Sequence, residues 1–452
     1  MPEPDTSVDL STKTVLFIDN GLFTAFARKV APAFKRALYY MPWQRQFVRS
    51  RELCVGIGFP EIERVRSPFR HGRKDLTNEV DLVVCLDQFH NDLQFLFEEK
   101  FECRVFGARE AEELELYRWE ARKLFQKLGL PVLDAEHIIG MPALREHLQR
   151  FKDRWIKNSF NVGGRADAET FHHDEYKITK PRLDELEYDL GPGLSSIYEF
   201  ISEANYPNAV EIGFDGYTID GRYPDWSMQA FEVKGLGMFA VMKPYERLAE
   251  PVKLVNAALA DTFKAYRYRG FWSSEIAWGK EQRPILRDPC CRLGSPSNEL
   301  LQELIGNWPE IIWHGAAGEM VQPKVLAKYG VVVMVYSEMS GKNWEVLHYP
   351  EKLDQFVKLR NPTMIKGVRY AVPQNQPQNI AGIVGTGDTM LDAVRSVAER
   401  VKQVKGDRMQ VAMESIPKAL DVIAKGEELG IRFSDDRRYP SVAQLKAAAE
   451  VG

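Results

Sequence analysis

Trp155–Gly164 reads WIKNSFNVGG, a short apolar stretch carrying Lys157 that runs into a polar turn closed by Gly163 and Gly164. Backbone N–H groups of a glycine turn can approach phosphate oxygens, and a lysine adds a mobile point charge. Alone, such a lysine is an ordinary surface residue before a turn. The segments downstream of it give it weight. Glu199–Ser202 (EFIS) reads as a strand with Glu203 directly after it, and Val210–Gly221 (VEIGFDGYTIDG) as an acidic strand led by Glu211. In Phe271–Trp278 (FWSSEIAW), alternation sets Glu275 opposite the aromatic positions. Ile285–Pro296 (ILRDPCCRLGSP) then brings Asp288, Cys290 and Arg292. Two carboxylates on adjacent strands can hold Mg²⁺ against a polyphosphate, because a hard cation takes oxygen ligands. Cysteine is a poor ligand for such a cation.

Upstream, Thr14–Asp19 (TVLFID) ends in Asn20–Gly21 and leads into a helix-like segment, the start of a βα unit. Ala37–Met41, Val80–Leu86 and Cys103–Phe106 read as further strands with helical stretches between them. The alternation predicts a mostly parallel α/β domain over residues 1–115. Asp19–Gly21 and Asp87–Asp92 would sit beyond the carboxyl ends of its strands, where such sheets bind ligands. Glu112–Leu128 is an amphipathic helix stopped by Gly129 and Pro131. A central α+β domain of two lobes is expected over 116–321, the small lobe near 130–200 and the large one near 200–321. Val132–Ala135 reads as a strand there, and residues 159–180 read as a polar loop. A third, mixed α/β lobe is expected over 322–452, with strands at Gly330–Tyr336 and Ile380–Thr386 and a helix at Met390–Lys405.

The composition is that of a folded chain, with 44% hydrophobic and 27% charged residues in 452. Sixty basic against 64 acidic residues give −4, which argues against a broad nucleic-acid or anionic-membrane surface. Five cysteines without a CxxC pair make neither a disulfide framework nor a zinc finger and suit a reducing compartment. Cys54, Cys85 and Cys103 lie on apolar segments and read as core residues. No stretch approaches the roughly 20 apolar residues of a membrane helix, and the polar N-terminus lacks a secretory signal. A cytoplasmic protein is expected. His172–His173, in the polar loop beside Asp174 and Glu175, read as part of a solvated lid more readily than as metal ligands.

The ordered series resembles the ATP-grasp superfamily and, within it, the phosphoribosylamine–glycine ligases and their relatives, over most of the chain. The likeness extends to Lys328–Ser337 (KYGVVVMVYS) and Ile380–Val401 (IAGIVGTGDTMLDAVRSVAERV), similar to the C-terminal lobe of those ligases. It implies bound ATP with Mg²⁺, or Mn²⁺ in its place. Lys157, the loop with Gly163 and Gly164, and Lys123 on the preceding helix would cover the phosphates. Glu199, Phe200 and Ile201 would form the adenine hinge. Glu211 would take the ribose hydroxyls, with Glu203 a competitor because Ala204–Ala209 lengthens the connection. Glu275 and Asp288 would hold metal, and Lys234, in Phe231–Gly235 (FEVKG), and Arg292 would be the catalytic cations. Cys290 stands where the family pattern Glu-x-Asn-x-Arg has asparagine. Gly235–Pro244 (GLGMFAVMKP) lacks the Gly/Asn/Thr-rich stretch that shapes the family's sugar-phosphate site. The resemblance implies an ADP-forming ligase that joins a small-molecule carboxylate and amine through an acyl phosphate, as a monomer or homodimer. A non-catalytic ATP sensor on the same fold is the alternative.

Overall fold

Thr14–Ile18 (β1) is apolar and buried along its whole length, as a strand covered on both faces must be. In the computed structural model, which describes residues 8–41, 55–160, 170–373, 379–436 and 440–450, it is the middle strand of a five-stranded parallel sheet. Its companions are Arg36–Tyr40 (β2), Glu63–Val65 (β3), Leu82–Cys85 (β4) and Arg104–Phe106 (β5), in the order β3-β2-β1-β4-β5. Cys85 and Cys103 are buried in this part of the molecule, and Cys54 lies outside the described residues.

Asp19, at the end of β1, is fully buried and accepts hydrogen bonds from the Phe23 N–H (3.1 Å) and the Tyr39 hydroxyl (2.6 Å). Burial pushes its carboxyl group up to about 7, against the lowering hydrogen bond from Tyr39. A carboxyl raised in the folded state stabilises the fold most below its unfolded pKa and loses that contribution as pH rises. The window here runs from the ordinary 3.8 to about 7. Asp19→Asn keeps an acceptor oxygen and removes the titration. Between about pH 4 and about pH 7, the melting temperature of the wild type is therefore expected to fall relative to that of the variant, as calorimetry would report.

Ala135–Ile139 (β6), Arg154–Asn158 (β7), Phe171–His173 (β8) and Glu199–Ala204 (β9) form a four-stranded antiparallel sheet in the order β8-β7-β9-β6. The strand expected at Val132–Ala135 thus begins at Ala135, beyond Pro131. In place of a loop reaching residue 180, β8 is followed by a helix over Tyr176–Ser195. Pro181 and Pro192 lie inside this helix. The backbone does leave helical geometry at Gly191 (φ 69°, ψ 169°), but the apolar face of Thr179, Leu183 and Leu186 is buried and carries the helix.

A nine-stranded sheet dominates the rest of the chain. Its main path joins Ile285–Cys290 (β14), Arg269–Trp278 (β13), Val210–Ile219 (β10), Trp226–Val233 (β11), Gly237–Pro244 (β12), Tyr329–Tyr336 (β15), Asn379–Gly387 (β17) and Val357–Leu359 (β16) in that order. The strands expected in a third lobe are therefore hydrogen-bonded to those expected in the second. Val331, Val333 and Ile383 share one core with Phe239, Val241 and Ile276. The parallel sheet is tied to this body where the Gly107 N–H donates to the Arg269 carbonyl (2.7 Å) and the Leu293 N–H to that of Leu86 (3.2 Å). Among the described residues, no helix is long and apolar enough to cross a membrane.

Candidate active site

The sequence suggests one helix over Glu112–Leu128, yet the chain breaks at Tyr117 (φ −113°, ψ 73°) and restarts as a helix over Arg118–Lys127. The break has a partner. Tyr117 makes an isolated antiparallel bridge with Phe160, and the Arg118 N–H donates to the Ser159 carbonyl (2.9 Å). The second helix is thereby docked beside β7, which carries Lys157. Arg118 and Arg122, four residues apart, share one face of it.

Across the cleft, Glu275 on β13 stands in register with Asp288 on β14, with a bulge directly after Glu275. The Lys157 ammonium donates to both Asp288 oxygens (3.0 and 3.1 Å), so the small antiparallel sheet meets the large one through this pair. Arg118 lies 4.0 Å from the same carboxylate. Burial would raise the Asp288 pKa, but Lys157, Arg118 and Arg122 outweigh it and hold the group ionised below the usual carboxylate range. Lys157 also lies 3.8 Å from Glu203, which is 4% exposed and accepts a 2.5 Å hydrogen bond from Arg122.

Lys234 forms the second cationic centre. Its ammonium lies 3.0 Å from Glu275, 3.1 Å from Glu211 and 3.7 Å from Glu232. Its side chain is 61% exposed, and partial desolvation in the cleft works against the charge, but the three carboxylates outweigh this and raise its pKa. Arg287 adds a 3.0 Å hydrogen bond to Glu211. Glu275 itself is raised, by burial first, with Lys234 opposing. Mutual repulsion of Glu211, Glu232, Glu275 and Asp288 is thus held down by Lys157 and Lys234 with Arg118, Arg122 and Arg287.

Gly213 sets the spacing of the acid-bearing strands. A Cβ there would lie 1.7 Å from the Ser274 carbonyl oxygen, and the neighbouring Phe214 N–H donates to the Ser274 hydroxyl (3.0 Å). Gly213→Ala must push β10, with Glu211, away from β13, with Glu275. A loss of about 1–3 kcal/mol of stability is expected from such overpacking, read from urea midpoints.

Arg292 is held elsewhere in the cleft wall. It donates to Glu115 (3.0 Å) and lies 3.4 Å from Asp87, just beyond β4, so it links the cleft to the carboxyl ends of the parallel sheet. A space of about 110 Å³ is lined by Glu211, Gly213, Glu275, Cys290, Arg292 and Ser295. Phe200 and Ile201 are fully buried, while the Glu199 carboxylate turns to His137 (2.6 Å). The structure does not bring Lys123 into this cluster. It lies one position, or about 100° of helix, from Arg122, and its ammonium pairs with exposed Glu120 (2.7 Å). Gly163 and Gly164 lie outside the described residues. His172 and His173 face opposite ways. His172 sits with exposed Asp153 and Asp174, whereas His173 is buried and hydrogen-bonded to Thr179 and the Leu148 carbonyl.

The residues missed in the sequence are Arg118, Arg122, Arg287 and Glu115. The spacing of Arg118 and Arg122 on an amphipathic helix was a usable signal. Glu115 and Arg287 acquire their partners only through tertiary contact.

The donor set fits a hard divalent cation. Glu275, Asp288 and Glu211 offer carboxylate oxygens on neighbouring strands of one sheet, and their charge is already large enough to gather lysines. Cys290, across from Ser273 in the ladder, offers only sulfur.

Similar architecture recurs in solved ATP-grasp ligases. Phosphoribosylamine–glycine ligase from Thermotoga maritima superposes with a TM-score of 0.62 at 16% identity, covering 88% of this chain and 99% of that one. The chain has the ATP-grasp fold. Biotin carboxylase from Campylobacter jejuni, solved as a complex with β-γ-ATP, gives 0.63 at 13% identity over 91% and 97%. N5-carboxyaminoimidazole ribonucleotide synthetase from Thermus thermophilus gives 0.55 at 14% over 86% and 98%. No family model matches the sequence, and a search of curated proteins by sequence finds no match. The ATP-grasp fold is thus retained here at low identity, with the cluster of Lys157, Asp288 and Glu275 in the cleft between its two antiparallel sheets.

Proposed function

We propose that this protein is an ADP-forming ligase that uses ATP to join a small-molecule carboxylate to an amine. In this reading a substrate carboxylate oxygen attacks the γ-phosphorus, and the bond to ADP breaks. The amine nitrogen then attacks the acyl carbon, phosphate leaves, and the nitrogen loses a proton as the amide forms. Lys157 and Lys234 bind and neutralise phosphate oxygens, and Glu211 or Glu203 takes the ribose hydroxyls. Arg292, fixed by Glu115 and Asp87, orients the acceptor beside the cleft. Glu275 and Asp288 would hold Mg²⁺, which when bound spreads the charge of the terminal phosphate. Exclusion of water matters because an acyl phosphate hydrolyses. The protein would act in the cytoplasm, as a monomer or homodimer.

The observation that most supports this reading is the Lys157–Asp288 pair with Glu275 beside it. It sets a cation from one sheet against two carboxylates from the other, where a metal polyphosphate needs both charges. Cys290 favours a second reading, an ATP-binding sensor without turnover, since sulfur stands in line with the metal carboxylates. Incubation with Mg-ATP and pooled carboxylates and amines separates the two. ADP and phosphate are expected only when both substrates are present. Release indifferent to either would contradict the ligase, and ATP binding without release under every pool would favour the sensor.

A further inference from the structure

At the other end of the β11–β12 hairpin from Glu232 lies a cleft of about 810 Å³ lined by Trp226, Val241, Lys243, Leu326, Lys328 and Asp388, among others. The hairpin register runs from Glu232↔Met238 to Trp226↔Pro244. Six residues of strand set this cleft about 20 Å from the carboxylate cluster. We propose that it is a second ligand site, built for an organic anion with a flat apolar body.

Lys243 carries the inference. It is 3% exposed, and its ammonium donates to a single backbone carbonyl, that of Arg432, at 3.1 Å. No carboxylate among the described residues comes within ion-pair distance of it. Neighbouring cations differ. Lys328 pairs with Asp436 at 2.7 Å and Arg247 with Asp435 at 3.1 Å, so each is neutralised in place. Asp435 acts on it from beyond ion-pair distance but already pairs with Arg247, so the buried ammonium is short of counter-charge, and a ligand anion completes it. The rest of the lining is suited to a ring. Trp226 (43% exposed) and Leu326 (53% exposed) hold large apolar surfaces open at the mouth, over buried Val241. A space of this size accommodates a small organic ligand, and pockets of a few hundred Å³ or more with one or two placed polar groups are the usual form of such sites. One buried cation implies one anionic group, carboxylate or phosphate.

The test titrates the full-length protein with 2-naphthoate and with neutral 2-naphthalenemethanol, followed by ligand-detected NMR. Naphthoate is expected to bind saturably at one site, at least tenfold more tightly than the alcohol. Lys243→Met should erase that preference, and Trp226→Ala should weaken both probes. Mg-ATP binding should be unchanged in both variants. The tryptophan is a surface residue, so its variant and the comparison of probes decide the matter even if Lys243→Met fails to fold. Equal binding of the two probes, no saturable naphthoate binding at millimolar concentration, or indifference to Trp226→Ala would overturn the proposal. Naphthoate binding by a protein that does not bind Mg-ATP would leave this site standing and remove the ligase reading.

Discussion

Asp288→Asn is expected to lower ADP release by about 10²–10⁴-fold, the loss produced when several kcal/mol of charge stabilisation leaves a phosphoryl-transfer site. The amide keeps the shape of the side chain and removes its charge. Three cations hold the wild-type carboxylate ionised, so the substitution acts on a group that is charged at every working pH. It takes away an oxygen donor beside Glu275 and leaves Lys157 with only the more distant Glu203. A coupled assay for ADP measures the effect, and a thermal melt checks that the fold survives. Full activity in the variant would remove Asp288 from any metal site.

Arg122→Met is expected to cost about 3 kcal/mol of folding stability, at the lower end of the 3–5 kcal/mol seen when one partner of a buried ion pair is deleted. Both side chains of the Arg122–Glu203 pair are almost wholly buried, at 6% and 5% exposure. The variant strands the Glu203 carboxylate, which Lys157 at 3.8 Å compensates only in part. Burial would raise the Glu203 pKa, but Arg122 and Lys157 outweigh it, so the pair stabilises at neutral pH and loses that contribution as pH falls through its lowered value. Pairing Arg122→Met with Glu203→Met should recover most of the loss, since apolar replacement of a buried pair is often neutral. Urea unfolding of the single and double variants decides it. A single-variant cost below about 1 kcal/mol would mean that the cleft relaxes to admit water.

The parallel sheet was legible because buried strands such as Thr14–Ile18 are almost wholly apolar, and the first is closed by the Asn20–Gly21 turn. The acid-bearing strands were legible because Glu275 lies in an alternating strand pattern and Asp288 directly follows the short run Ile285–Arg287. Continuity of the large sheet across residue 322 was not. Which strand pairs with β12 is a long-range choice, and Tyr329–Tyr336 carries no local mark of it. The helix over Tyr176–Ser195 was read in part as polar loop, because only packing reveals its buried face of Thr179, Leu183 and Leu186. In the cleft, Lys123 turns to exposed Glu120, and Arg122, one residue away along the helix, reaches Glu203. Glu203 was read as a competitor for ribose, and the structure gives it a heavily charged environment between Arg122 and Lys157.

In the proposed function, Lys157, Glu275 and Asp288 form a metal-nucleotide site. Calorimetric titration with a non-hydrolysable ATP analogue, with and without Mg²⁺, tests it most directly. One molecule is expected to bind per chain, in a Mg²⁺-dependent way, and at least about tenfold more weakly in Lys157→Met, the loss of one charge-assisted contact. Absence of binding, or binding indifferent to both Mg²⁺ and Lys157, would contradict it.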